Sequence, residues 1–194
     1  MLSLKKPSAD SIRRFREAQS QRELTYDAVG ATETQPPPGF RLDHTRVKLG
    51  DGERIFAAGV AAFRRWEQFQ LGWLEPGCTS VPLESGQPVV TLARVFGIWW
   101  MNACRIVYVV EDTGRVTRFG FAYGTLPAHA GSGEERFLIE WHRGDDSVWY
   151  DIRAFSRPRH VLTRIGYPMM RRVQQRFGRE SSAAMQRAVA TFVR

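Results

Sequence analysis

The chain has 194 residues, of which 43% are hydrophobic and 25% charged, and it carries a formal net charge of +8. This composition is typical of one globular domain and excludes fibrous and largely disordered classes, and the longest uncharged stretch, residues 95–104, is too short for a membrane-spanning helix of about 20 apolar residues. The N-terminus lacks the apolar core of an export signal, so we expect a cytoplasmic protein.

The first predicted element is a short helix over residues 8–23, in which Ser8 or Asp10 can accept the free amide hydrogens of the first turn. Three consecutive prolines, Pro36–Pro38, then prevent any helix from continuing, because proline lacks an amide hydrogen. We expect residues 1–23 to be a helical extension and residues 24–194 to be one α+β domain.

Residues 40–49 alternate polar and apolar side chains, with a slip between Arg46 and Val47 that predicts a strand with a bulge. An amphipathic helix is predicted within residues 50–73, with Asp51 as its cap. Its apolar stripe has spacings of three and four and includes Ile55, Phe56, Gly59, Val60, Phe63 and Trp66.

Repeated strand patterns separated by turn residues follow, and their close spacing indicates an antiparallel meander. The predicted strands are Val89–Phe96, Trp99–Val110, Arg115–Leu126, Glu134–His142 and Ser147–Phe155. Helical periodicity returns over Arg159–Val193, where Pro168 should begin or kink a long C-terminal helix.

This order of elements predicts a curved antiparallel sheet of about six strands whose one side is covered by both apolar helix faces. A cavity would then remain between the sheet and the C-terminal helix. The order resembles the helix-grip fold of the START and pollen-allergen superfamily, and this resemblance implies the fold without fixing a function.

Strand alternation predicts which side chains face that cavity. In one strand Phe119, Phe121 and Tyr123 share a face, and in the next Glu135 shares the face of Phe137, Ile139 and Trp141. The neighbouring Glu134 and Arg136 face the other way, where we expect ordinary solvated side chains.

Glu135, Tyr123 and His129 are therefore candidate catalytic residues, since a desolvated carboxyl and an imidazole can both transfer protons near neutral pH. The same residues have simpler interpretations: Glu135 can pair with an arginine, His129 can lie on a solvated loop, and Tyr123 can belong to the core. Arg157, beside a proline at the end of the last strand, can bind an acidic group or pair at the chain reversal. The candidate ligand-binding residues are Phe119, Phe121, Tyr123, Glu135 and Arg157.

We predict no structural metal and no cofactor. Cys78 and Cys104 are far apart and read as small core residues, and the four histidines lack metal-ligand spacing. The chain has neither a glycine-rich nucleotide-binding motif nor a G-x-S-x-G sequence.

Four segments resemble the plant and bacterial domain-of-unknown-function family nineteen-ninety. They are "LTYDAVGAT" (residues 24–32), "LGDGERIFAAGVAAFRRW" (49–66), "FAYGTLPAHAGSGEERF" (121–137), and "AFSRPRH" (154–160) with "RIGYPMMRRVQQRF" (164–177). The resemblance implies a domain that runs from Leu24 to the C-terminal helix, with Pro36–Pro38 internal to it. It carries no catalytic residue or cofactor over to this chain.

The leading functional hypothesis is a pocket protein that binds a hydrophobic or amphipathic small molecule between the sheet and the C-terminal helix. An alternative is an enzyme of cyclase, dehydratase or hydrolase type that uses Glu135 and His129 as acid and base. A second alternative is nucleic-acid binding through the arginines of residues 157–187, which we regard as the weakest because the basic residues are spread along the chain.

Overall fold

The computed structural model of the chain describes residues 2–159 and 166–193. Within these residues, eight strands form one antiparallel sheet accompanied by three α-helices. The strands are β1 (Leu2–Ser3), β2 (Arg41–Asp51), β3 (Leu74–Pro76), β4 (Pro88–Val95), β5 (Ile98–Asp112), β6 (Val116–Thr125), β7 (Gly131–His142) and β8 (Ser147–Pro158). The helices are α1 (Ala9–Ser20), α2 (Glu53–Arg64) and α3 (Tyr167–Val193), and a short 3₁₀ helix covers Glu67–Phe69.

Strands β3 to β8 follow one another as a meander, and β2 lies beside β8, so the order across the sheet is β2, β8, β7, β6, β5, β4, β3. The two residues between β4 and β5, Phe96 and Gly97, both have positive φ, at 52° and 78°. This is the tight turn whose twist suits an antiparallel hairpin. The short β1 pairs with β5 beside Trp99 and Trp100.

The inner face of the sheet, which we define as the face of Phe121 and Phe137, is covered by α2 and α3. Helix α2 buries the small residues Ala58, Gly59 and Ala62 together with Phe63. Because small side chains allow a close approach, Phe63 reaches Phe121 with a ring-centre distance of 5.9 Å. Each such buried aromatic ring contributes on the order of 2–3 kcal/mol to stability.

Helix α3 closes the core with Met185 and Val189, which are both buried. Its buried Ser181 forms a hydrogen bond of 2.8 Å with the hydroxyl of Tyr150 on β8. One turn earlier, Phe177 stacks on Phe69 at 5.6 Å. The antiparallel curved sheet and the long C-terminal helix confirm the predicted α+β, helix-grip-like fold.

The opposite, outer face of the sheet is partly covered by residues 21–40, which connect α1 to β2. Thr25 donates its backbone N–H to the carbonyl of Thr125 on β6. Tyr26 packs edge-on against Phe155 of β8, at 5.5 Å between ring centres. This connection therefore lies against the sheet across the central strands.

Several boundaries differ from the sequence predictions. The sheet has eight strands rather than about six, because β1 and β3 are too short to leave a pattern. The bulge lies between Lys48 and Gly50 instead of before Val47. Gly52, not Asp51, is the N-cap of α2, and no side chain caps it. The predicted start of the last helix, residues 160–165, lies outside the described residues.

Candidate binding cavity

Tyr123 on β6 and Glu135 on β7 are directly opposite each other in the antiparallel register. Cross-strand partners point to the same face, and side chains in such pairs are within contact distance. The phenol of Tyr123 donates a hydrogen bond of 2.8 Å to Oε2 of Glu135. The register thus joins two of the three predicted catalytic candidates.

The Glu135 carboxyl is partly buried, and burial raises its pKa from 4.5 to about 7. The hydrogen bond from Tyr123 opposes this rise because it stabilises the charged form, whereas the negative charge of Asp43 adds to it. Burial raises the pKa of Tyr123 well above its ordinary value, so its phenol remains a donor at neutral pH. Glu135 can therefore change its charge near physiological pH.

Both side chains line a cavity of about 230 Å³ between the inner face of the sheet and α3. Its aromatic wall is formed by Phe69, Trp73 and Phe177, and Ile152 and Ala154 of β8 contribute the sheet side. The lining is mostly apolar with a few polar groups, which is the usual composition of a small-molecule site.

His129 also lines the cavity, in the short connection between β6 and β7. Its Nδ1 accepts a hydrogen bond of 3.0 Å from the backbone N–H of Gly131. Burial lowers the pKa of His129 to about 4, so the imidazole is neutral near pH 7. In a neutral imidazole whose Nδ1 accepts a hydrogen bond, the proton is on Nε2, which can therefore act as a donor.

Phe119 and Phe121, two predicted ligand-binding residues, share the face of Tyr123 but are not among the described residues that line the cavity. Phe121 is fully buried against Trp66, at 5.3 Å between ring centres. Phe119 lies under the guanidinium of Arg64. Strand alternation gave the correct face, but α2 and the segment after it fill that end of the sheet.

Arg157, the fifth predicted ligand-binding residue, is exposed and does not appear in the described lining. Its guanidinium lies over the ring of Phe40, 4.4 Å from the ring centre. Of the predicted ligand-binding residues, Tyr123 and Glu135 therefore contribute polar groups to the cavity and this arginine does not.

Glu134, expected to be solvated, is only 2% exposed on the outer face. Its Oε2 accepts hydrogen bonds from the hydroxyl of Tyr26 (2.6 Å) and the backbone N–H of Gly30 (2.8 Å). Its Oε1 accepts two from Thr32, one from the backbone and one from the hydroxyl. The expectation was wrong because the connection between α1 and β2 covers this part of the sheet. Arg136 is also partly buried, and it donates to the buried Asp151.

Sequence reasoning missed a polar group that joins α3 to the edge of the sheet. Arg171 forms an ion pair with both carboxylate oxygens of Asp43 on β2. Gln174, one turn later, donates to the hydroxyl of Ser156 at 2.9 Å. Asp43, Gln174 and Ser156 all line the cavity. The strand alternates without interruption from Asp43 through Thr45 to Val47, which would have assigned Asp43 to the inner face. The bulge predicted before Val47 concealed this pattern.

Trp73 was not singled out from the sequence either, although it forms part of the cavity wall. Its indole N–H donates a hydrogen bond of 2.5 Å to Glu180 on α3. Arg176 pairs with the same carboxylate at 2.7 Å and lies over the indole ring. These contacts fix α3 against the segment that precedes β3.

Among the described residues, no group of three or more His, Cys, Asp or Glu side chains could hold a metal ion. In the same part of the chain, no helix is both long and apolar enough to cross a membrane.

Comparison with known proteins gives one family. The family model described as "Domain of unknown function (DUF1990)" matches residues 25–184. A UPF0548 protein of Dictyostelium discoideum is 31% identical over 210 aligned residues, which cover 98% of this chain and 97% of the relative. A UPF0548 protein of Arabidopsis thaliana is 36% identical over 154 residues, covering 76% and 72%. Among solved structures, human STARD10 aligns with a TM-score of 0.46 and 12% identity, over 96% of this chain and 81% of its own.

Proposed function

Because the chain belongs to the DUF1990 family, whose description states no activity, we propose its function from the cavity: the protein binds a hydrophobic or amphipathic small molecule between the sheet and α3. One observation carries the proposal. A cavity of about 230 Å³ with a mostly apolar lining contains the Tyr123–Glu135 pair, and a few polar groups in an apolar site are what orient a ligand.

The experiment fills the cavity without disturbing the core. Ala154 lines the cavity and lies opposite Glu135 in the sheet, so Ala154→Leu places extra bulk inside it. The matched control is Ala57→Leu on the exposed face of α2. Binding is measured by the fluorescence of N-phenylnaphthylamine, a neutral apolar probe, and by native mass spectrometry of the purified protein.

We expect the wild type and Ala57→Leu to bind the probe with one-to-one stoichiometry. Ala154→Leu should weaken binding by at least about tenfold, the effect of removing one well-packed ligand group. Equal binding by all three proteins, or none by the wild type, would contradict the proposal.

A second proposal, an enzyme that transfers a proton through Glu135, is favoured by the carboxyl pKa of about 7. His129 contributes less as a base than the sequence suggested, because its own pKa is lowered to about 4. The test is deuterium incorporation: a molecule extracted from the protein is incubated with it in deuterium oxide. Incorporation by the wild type but not by Glu135→Gln would support proton abstraction, and absence of incorporation in both would refute it.

Nucleic-acid binding through the C-terminal arginines stays a prediction without structural support. Arg171 and Arg176 of α3 form ion pairs with Asp43 and Glu180. Arginines paired in this way offer less charge to phosphate groups.

A further inference from the structure

The charge of the cavity is opposite to the charge of the protein. The chain has 28 basic and 20 acidic residues, yet none of the described residues that line the cavity is Lys or Arg. Three acidic residues are among them, Asp43, Glu134 and Glu135. A basic protein thus has an acidic interior site.

Two of these carboxylates already have partners. Glu134 faces away from the cavity and is satisfied by Tyr26, Gly30 and Thr32. Asp43 is neutralised by Arg171. In both carboxylates, each oxygen already accepts at least one hydrogen bond from the protein.

Glu135 differs from both, because the described residues provide it with no ion-pair partner. Tyr123 donates a hydrogen bond to its Oε2, whereas a carboxylate can accept hydrogen bonds through both oxygens. The third titratable neighbour, His129, is neutral near pH 7 and supplies no positive charge. The ionised form of a partly buried carboxylate is unfavourable without a cation, and a cationic ligand would stabilise it.

We propose that the molecule bound in this cavity is an organic cation, with a protonated amine on Glu135 and an apolar body against the wall formed by Phe69, Trp73 and Phe177. This inference rests on the proposed binding function and specifies its ligand class. An ammonium group donates charge-assisted hydrogen bonds to a carboxylate, while a carboxylic acid would bring a second negative charge beside Glu135. The cavity therefore selects amines and rejects acids.

The test uses three probes that share one phenylethyl body: phenethylamine, phenethyl alcohol and hydrocinnamic acid. Their dissociation constants are measured by protein-observed NMR titration at a pH of about 8, where a carboxyl group of pKa about 7 is ionised. We expect the amine to bind at least about tenfold more tightly than the acid, with the alcohol between them.

Glu135→Gln should weaken amine binding by about 10- to 100-fold, the effect of one hydrogen bond to a charged group, and change alcohol binding by less than about threefold. Glu111→Gln, at an exposed position on β5, is the matched control and should change neither. Lowering the pH to about 6 should weaken amine binding by up to about tenfold, because Glu135 becomes protonated, while alcohol binding stays constant.

The outcomes separate the inference from the function on which it rests. If the alcohol binds in the cavity but the amine is no tighter than the acid, or if Glu135→Gln leaves amine affinity unchanged, the charge selection is refuted and the binding function stands. If none of the three probes binds and the neutral fluorescent probe also fails, both are refuted.

Discussion

The adjacent residues Glu134 and Glu135 should respond in opposite ways to the same substitution. Glutamine has the shape of glutamate, but its amide can accept hydrogen bonds through only one atom. In Glu134→Gln, that oxygen can serve either Tyr26 and Gly30 or Thr32, so two donors lose their acceptor. Two hydrogen bonds to a charged group, at about 1.5–3 kcal/mol each, predict a loss of about 3–6 kcal/mol in the free energy of unfolding.

Glu135→Gln should cost less than about 1 kcal/mol, because among the described residues Glu135 accepts its hydrogen bond from Tyr123, and the amide oxygen can still accept it. The free energy of unfolding is measured for both variants by urea titration at a pH of about 5, where Glu135 of the folded wild type still holds its proton, with tryptophan fluorescence as the probe. Unchanged urea m-values would show that the denatured states are comparable. The result would contradict this account if the two variants differed by less than about 1 kcal/mol, or if Glu135→Gln were the more destabilising. Glu134 would then not be the residue that holds the connection between α1 and β2 against the sheet.

The effect of Glu135→Gln on stability has a pH dependence of known sign. Glu135 has a pKa of about 7 in the folded protein and an ordinary value of 4.5. Between these values the folded state retains a proton that the unfolded state has released, so stability falls as the pH rises and becomes constant above about 7. Glu135→Gln removes this loss, so its stability relative to the wild type should increase by about 2–3 kcal/mol as the pH rises from about 4.5 to about 7.

Two further predictions concern the packing of the outer face and the electrostatics of the cavity. Gly124→Ala places a methyl group 2.2 Å from the hydroxyl of Tyr26. We expect it to lower the free energy of unfolding, measured by urea titration, by about 1–3 kcal/mol. In the control Gly114→Ala the methyl group enters open space, so the free energy of unfolding should stay within about 0.5 kcal/mol of the wild-type value. Asp43→Asn should lower the pKa of Glu135, because it removes a nearby negative charge, and Tyr123→Phe should raise it, because it removes a hydrogen bond to the carboxylate. Both pKa changes are measured by NMR titration of the Glu135 carboxyl carbon. Changes in the same direction would contradict this account.

Local alternation was sufficient to predict the faces of the central strands. The inner face of β7 contains Glu135, Phe137 and Ile139, as their spacing of two indicates. The short connection to β6 then sets the register that brings Tyr123 opposite Glu135. The sequence could therefore identify this pair before any coordinates were known, while its role stays a proposal.

The surroundings of the pair could not be predicted in the same way. Tyr26 and Glu134 are 108 positions apart, and no local pattern indicates that the connection after α1 crosses the outer face at that point. Likewise, alternation assigns Phe121 and Tyr123 to one face without showing that Phe63 and Trp66 occupy the space above Phe121. Both omissions are contacts between distant segments, which depend on how the whole chain packs. The division into residues 1–23 and 24–194 stays a prediction.

Some of the excess basic residues lie on an edge strand of the sheet, where their charge disfavours aggregation. Within the described residues, β2 pairs with β8 alone, and its exposed residues include the basic Arg41, Arg46 and Lys48. Charged side chains on an edge strand disfavour pairing with a second molecule, because docking would bring like charges together and remove them from water. The opposite edge, β3, is only three residues long and ends in Pro76, which has no N–H to offer. Edge-to-edge pairing of this open sheet with a second molecule is thus disfavoured at β2 by charge and at β3 by the shortness of the strand.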